Sequence, residues 1–195
     1  MSGPPAARRR SDAYRVRVAR THEDLARVQA VRALVYMGDQ ACPYDEEFDG
    51  NDLCGATHLL LEHGAEPVGV ARLRWFGEFA KLERLAIRDA HRGGPALLIL
   101  CRTAFELAAR KGYRRLVGHA QVRGEAFWRR YFGGRVRPGR PRFSFSQYRY
   151  VEMEFDLAPH PAAVGLASPP MVLLRPEGEW DRPGVLETAE QGLAA

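Results

Sequence analysis

The residues best placed by type and spacing to do chemistry lie in KLERLAIRDAHRGGPALLIL, Lys81 to Leu100, where Arg92, Gly93, Gly94, Pro95 and Ala96 form a compact group. The two glycines let backbone N–H groups come close to a ligand. Pro95 suits the first position of a helix, and a helix start favours a phosphate through its unpaired amides and partial positive charge. The group therefore reads as an anion cradle, and a tight strand-to-helix turn with no ligand would use the same residues.

Charge is distributed unevenly around that cradle. No Lys or Arg falls between Ala33 and Ala71, whereas Asp39, Asp45, Glu46, Glu47, Asp49 and Asp52 crowd the middle of that stretch. Such a segment would welcome a cation, or stand as a solvated loop. Arg129, Arg130, Arg135, Arg137, Arg140, Arg142 and Arg149 cluster later, where guanidinium groups suit an acidic partner or phosphates. No Ser-His-Asp arrangement competes, and Gly93-Gly94 lacks the full dinucleotide pattern. Cys42, Cys54 and Cys101 are not spaced for a zinc knuckle, so no metal is expected.

The elements that must position these residues follow from periodicity. At 195 residues and 46% apolar content, the chain can bury one good core. Tyr14 to Ala19 alternates as a strand, and Thr21 with Asp24 caps a helix that should run to about Gly38. Ala56 to Glu62 and Pro67 to Trp75 form a hairpin turned at His63-Gly64-Ala65-Glu66. In the Lys81 strand, Leu82, Arg84 and Ala86 alternate with Glu83, Leu85 and Ile87. A helix bearing Leu97, Leu100, Cys101, Ala104, Leu107 and Ala108 comes next, then a strand over Arg114 to Ala120. Glu125 to Phe132 is a short amphipathic helix, and Arg135 to Leu157 supplies the last strand or strands. Residues 1–12 read as a disordered basic lead-in, 13–157 as the domain, and 158–195 as a Pro- and Ala-rich extension that docks in part. With no charged-then-apolar leader and no apolar run of about 18 residues, a soluble, reduced, cytoplasmic protein without a membrane span is expected.

The order β, α, β, β, β, α, β, α, β, with a glycine-bearing turn after the fourth strand, resembles the GNAT superfamily of N-acyltransferases. Val35-Tyr36-Met37-Gly38-Asp39-Gln40-Ala41-Cys42-Pro43-Tyr44, Asp49-Gly50-Asn51-Asp52-Leu53 and His58 resemble its ElaA-like branch, as do Ala120-Gln121 and Phe127-Trp128. Glu83 to Ile87 and the acidic stretch before His58 are also similar to acyl-homoserine-lactone and N-acyl amino acid synthases. The resemblance implies an α/β fold: a mixed, mainly antiparallel sheet flanked by helices and splayed between strands 4 and 5. It implies acetyl-CoA or another acyl-CoA as donor, with Arg92 to Ala96 at the pyrophosphate, backbone groups of Leu85, Ala86 and Ile87 along the pantetheine arm, and Gln121 and Trp128 beside it. The glycine turn is one residue shorter than the superfamily pattern, and Trp128 stands where many members carry a tyrosine acid.

Acyl transfer to an amine needs a neutral nucleophile, a polarised carbonyl and a proton for the leaving thiolate. Glu83 is the expected general base, its pKa raised by partial burial, with a salt bridge to Arg72, Arg74 or Arg84 as the competing use. Tyr131 is the substitute acid, or else a core residue. Asp52 and His58 are expected to orient the substrate and Arg72 to grip a carboxylate, unless they serve structure alone. The expected function is transfer of an acetyl or short acyl group to the primary amine of a small cationic acceptor. A longer-chain synthase fed by acyl-CoA or an acyl carrier protein is the first alternative. A non-catalytic acyl-CoA-binding or nucleic-acid-binding module is the second, with nucleic acid the weaker reading. By analogy, Phe143 to Tyr150 is an available homodimer surface.

Overall fold

Hydrophobic alternation in the central segments builds a single sheet. The computed structural model describes residues 14–188, so the lead-in expected over residues 1–12 lies outside the described residues. The strands are β1 (Tyr14–Val18), β2 (Thr57–His63), β3 (Glu66–Trp75), β4 (Ala80–Ile87), β5 (Arg115–Gln121), β6 (Arg135–Val136), β7 (Phe143–Phe145) and β8 (Tyr148–Asp156). They pair in the order β1-β2-β3-β4-β5-β8-β6, with β7 on β8, and only β4 and β5 run parallel. The α/β architecture read from the sequence is thus the observed one.

Two helices cover the two faces. α1 (His22–Arg32) starts at a reciprocal cap in which Thr21 accepts from the Asp24 amide at 3.0 Å and the Asp24 carboxylate accepts from the Thr21 amide at 3.3 Å. It continues to Asp39 as the helix expected from periodicity, but Ala33–Asp39 widens into π-helical turns. A one-turn α2 (Tyr44–Glu47) follows. On the opposite face α3 (Ala96–Arg110) buries Leu100, Ala104, Leu107 and Ala108 against Leu59, Leu73, Leu82, Leu116 and Phe155. The smaller core on the α1 face joins Val28, Val31, Val35 and Tyr36 to Leu60, Val70 and Ala86. α4 (Glu125–Phe132) ends on Gly133, whose φ of +63° is the left-handed conformation glycine accepts without strain.

Two irregularities in β4 position the site. β4 pairs with β5 only from Ala80 to Leu82, against Leu116 to Gly118, and beyond that point the strands part. Its pairing with β3 shifts register between Val70/Ala86 and Arg72/Glu83, with Arg84 held at φ +49°. That bulge corrects the strict alternation expected for the strand. Glu83 and Arg84, although consecutive, both serve the α1 side, and Leu85 and Ile87 pack with the α3-side core.

The C-terminal extension, which includes α5 (Pro170–Leu174), lies against the other end of the sheet. Glu177 accepts from Thr57 Oγ1 at 2.8 Å and pairs with Lys111, Trp180 packs on the core and beneath Arg110, and the Val164 amide donates to Arg110 O at 2.7 Å.

Candidate active site

The parting of β4 from β5 opens a cleft of about 940 Å³. Leu82, Gly118 and Phe155 line it near the last β4–β5 pair. Leu85, Ala86 and Ile87 form one wall, and His119, Ala120 and Gln121 the other. Phe127 and Trp128 of α4 and the β7–β8 residues Phe143, Phe145, Tyr148 and Tyr150 complete the lining. The β7–β8 turn reaches across the opening: the Ser146 amide donates to Glu46 at 3.2 Å and Gln147 to Gln40 O at 3.3 Å. Phe145 packs on the α1-side core and Phe143 stacks on Tyr150, while Phe143 itself stays 37% exposed.

At one end of the cleft stands the glycine turn. Arg92 and Leu97 line the cleft there, while Gly93, Gly94, Pro95 and Ala96 form the bend beside it. The first backbone bond into α3 runs from the Ile99 amide to Pro95 O at 3.0 Å, and Gly93 holds φ +74°. Among the described residues the amides of Gly93, Gly94, Ala96 and Leu97 have no backbone acceptor, which makes this a ready anion site. The Arg92 guanidinium is committed elsewhere, to Ile87 O at 2.8 Å, Asp89 at 3.0 Å and Asp39 at 2.6 Å. Leu85 O likewise already accepts from Tyr36 at 2.7 Å. Neither group is therefore free to meet a ligand in the cleft.

Glu83 faces the cleft, but not as a base with a raised pKa. Burial pushes its pKa up, yet the hydrogen bond from Lys81 at 2.8 Å and the nearby Arg72 outweigh burial and hold it below its ordinary value. Arg72 Nε donates to its other oxygen at 2.8 Å. The competing salt bridge is realised, and both carboxylate oxygens are engaged.

Asp52, His58 and Arg72 lie behind the cleft wall rather than in it. Arg72 is 1% exposed and is filled by Asp49 at 2.6 Å, Asp52 at 2.6 Å and Glu83, leaving no fork for a substrate carboxylate. Asp52 also accepts from Arg32 at 2.6 Å, and the fully buried Arg32 and Glu47 pair beside it. His58 Nε2 lies 3.0 Å from Asp52 O, with burial lowering the pKa of its ring. The acidic run that was expected to welcome a cation thus meets arginines of its own chain. Sequence distance hid this, because Arg32 and Arg72 flank the run and turn inward onto it. Four of the seven late arginines are paired in the same way: Arg137 with Glu152 at 2.7 Å, Arg140 with Glu152 at 3.4 Å, Arg135 with Asp156 at 2.8 Å and Arg129 with Glu125 at 2.7 Å.

Tyr131 does not line the cleft. α4 turns Phe127 and Trp128 to the cleft and packs Phe132 on Phe105, which leaves Tyr131 51% exposed on the outer side. Gln121 and Trp128 line the cleft. Sequence reasoning passed over His119, Tyr36 and Tyr150. The alternation of β5 and β8 could have found two of them, since His119, Gln121, Tyr150 and Glu152 fall on one face of a two-strand register. Gln121 Nε2 donates to the Tyr150 hydroxyl at 3.1 Å, and burial raises the pKa of that phenol.

No family model matches the chain. A Bacillus subtilis protein named as a candidate acetyltransferase is 36% identical over 74 residues, 37% of this chain and 50% of its own length, so the match spans half of that relative. The uncharacterised N-acetyltransferase YjcF of the same organism is 27% identical over 114 residues, 58% of this chain and 81% of its own. Among solved structures, Escherichia coli ElaA superposes with a TM-score of 0.64 at 19% identity, covering 73% of this chain and 97% of that one. The chain has the fold of the GNAT N-acyltransferases, ElaA among them, and its curated relatives include proteins named as acetyltransferases.

Proposed function

We propose that the protein transfers an acetyl or short acyl group from an acyl-CoA to the primary amine of a small acceptor. The observation that carries this reading is the coincidence of free amides at the start of α3 with a cleft that begins where β4 leaves β5. A diphosphate at the Gly93–Leu97 amides lets the pantetheine arm run along the unpaired β4 edge, ending near Glu83 and His119. An N–H of that edge, aimed at the developing oxyanion, supplies the stabilisation for which such donors are typically worth ~3 kcal/mol.

Tyr150 takes the proton-donor role expected of Tyr131. Its hydroxyl oxygen accepts from Gln121, so its own proton remains available to the departing sulfur. Glu83, ionised between Lys81 and Arg72, supplies negative charge beside the incoming ammonium. The turn bearing Ser146 and Gln147 narrows access from the acceptor side, which favours a small amine over a folded protein surface. With Asp49, Asp52, Glu47 and Glu83 each paired internally, the case for a cationic acceptor rests on Asp45 and Glu46.

Thermal denaturation with CoA, acetyl-CoA, octanoyl-CoA and palmitoyl-CoA tests the reading. Binding at a hundredfold excess over Kd stabilises by about 2.7 kcal/mol, a shift that is readily measured. Absence of any shift with all four removes the acyl-CoA reading. An optimum beyond about eight carbons would replace the short-acyl donor by the longer-chain alternative.

A further inference from the structure

The cleft holds a second titratable pair that the reading above leaves idle. His119 and Glu152 stand directly opposite in the β5–β8 register, with His119 Nε2 3.3 Å from Glu152 Oε2. Arg137 at 2.7 Å and Arg140 at 3.4 Å anchor the same carboxylate. Burial opposes ionisation of Glu152, but His119 and Arg137 outweigh it and keep its pKa below the ordinary value. An ionised carboxylate only accepts, so Nε2 carries the imidazole proton and Nδ1 keeps its lone pair. Nδ1 has no hydrogen-bond partner among the described residues.

The surroundings keep this imidazole neutral. Phe143 of β7 meets the ring edge-on at 4.9 Å. The charged groups facing it are Lys81 and Glu83 from β4 and Glu152 from β8. Burial is the largest influence and lowers the pKa of His119, Lys81 lowers it further, and the two carboxylates offset only part of this. The side chain is 34% exposed and lines the cleft. Glu83, by contrast, has both oxygens occupied by Lys81 and Arg72.

We propose that His119 is the catalytic base of this cleft, accepting a proton from the acceptor ammonium at Nδ1, and that Glu152 is the positioning residue that fixes its tautomer. This rests on the acyl-transfer reading. In the step, R–NH3+ gives one proton to Nδ1, and the freed nitrogen lone pair forms the C–N bond at the thioester carbonyl. The C–S electron pair leaves on sulfur. The nitrogen releases its surplus proton to solvent, the thiolate takes the Tyr150 hydroxyl proton, and the His119 imidazolium passes its extra proton back to the tyrosinate through solvent.

Bromoacetyl-CoA tests this without knowledge of the acceptor, because it places an alkylating carbon beside the group that would face the amine. The Nδ1 lone pair forms an N–C bond, bromide leaves with the C–Br electrons, and the imidazolium releases its Nε2 proton. Peptide mass spectrometry should find the adduct on His119. Its rate should follow deprotonation of a group below the ordinary imidazole value of 6.5. His119→Gln should slow labelling roughly tenfold or more, and Glu152→Gln should shift the pH profile while leaving CoA-induced thermal stabilisation in place. A wild-type protein that CoA does not stabilise overturns both the acyl-transfer reading and this assignment. CoA stabilisation with the adduct on Glu83, Tyr150 or Cys42, or with no adduct, overturns His119 alone. An unchanged pH profile in Glu152→Gln removes Glu152 from its role.

Discussion

Arg72 and Glu83 oppose each other across the β3–β4 register, Nε to Oε1 at 2.8 Å, and neither can be removed without stranding a buried charge. The guanidinium also holds Asp49 and Asp52, so it ties the loop after α2 to the floor of the sheet. Arg72→Met would leave three carboxylates short of their counter-charge. Breaking a buried pair by deleting one partner typically costs about 3–5 kcal/mol, and urea unfolding should register a loss of that order. A loss below about 1 kcal/mol would mean that the network is solvated and structurally minor.

The same network sets an acid limit to stability. Burial pushes Asp49 and Asp52 toward protonation, but Arg72 hydrogen-bonds to both and Arg32 to Asp52, holding both pKa values below the ordinary 3.8. Glu83 sits below its ordinary 4.5 in the same way. For a depressed carboxylate, the stabilisation is fully present above the unfolded pKa and is lost as pH falls through the folded one. Glu47 has the opposite sign, because burial raises its pKa, and its share favours the fold at lower pH. Three depressed groups against one raised group predict a net fall. Chemical denaturation at pH 7 and pH 3 should show lower stability at pH 3, and a flat profile would contradict the pairing.

Gly118 is the last β5 residue paired with β4, and a Cβ placed there would lie 3.4 Å from Leu82 O and 3.8 Å from Phe155. Gly118→Val should therefore fold with a cost of about 1–3 kcal/mol and fill the base of the cleft. Loss of the CoA-induced thermal shift in a variant with intact circular dichroism is the expected result. An undiminished shift would place the thioester arm elsewhere.

At Gly93 space is not the constraint, since nothing lies within 4 Å of an added Cβ, but φ is +74°. Gly93→Ala should cost about 1–2 kcal/mol through left-handed strain and weaken CoA binding by turning its amide out of line. Calorimetric titration with CoA measures the second effect, and unaltered affinity would take Gly93 out of the anion site.

Much of this arrangement could be read from the chain before its coordinates, and the failures share a cause. Thr21 with Asp24, the hairpin at Gly64 and the Gly93 turn are local signals, and each appears where residue chemistry places it. The bulge at Arg84 was hidden because a non-glycine residue at positive φ leaves no mark in composition. Tyr131 was misplaced because the phase of an eight-residue helix is decided by what it packs on, here Phe105 and Phe155. Asp52 and Arg72 looked like ligand-binding groups because their partners, Arg32 and Glu83, are remote in sequence. His119 stood alone in a strand, and only the register with Glu152 gives it a companion.

The mooring of the extension at Thr57, Arg110 and Lys111 has a practical corollary. These residues sit by the start of β2 and the end of α3, whereas the amides that would receive a donor lie at the opposite tip of α3. A thiol label introduced at the fully exposed Leu166, two residues from the Val164 amide that donates to Arg110 O, is thereby carried by the far end of α3 and leaves the mouth clear for titration with thioesters.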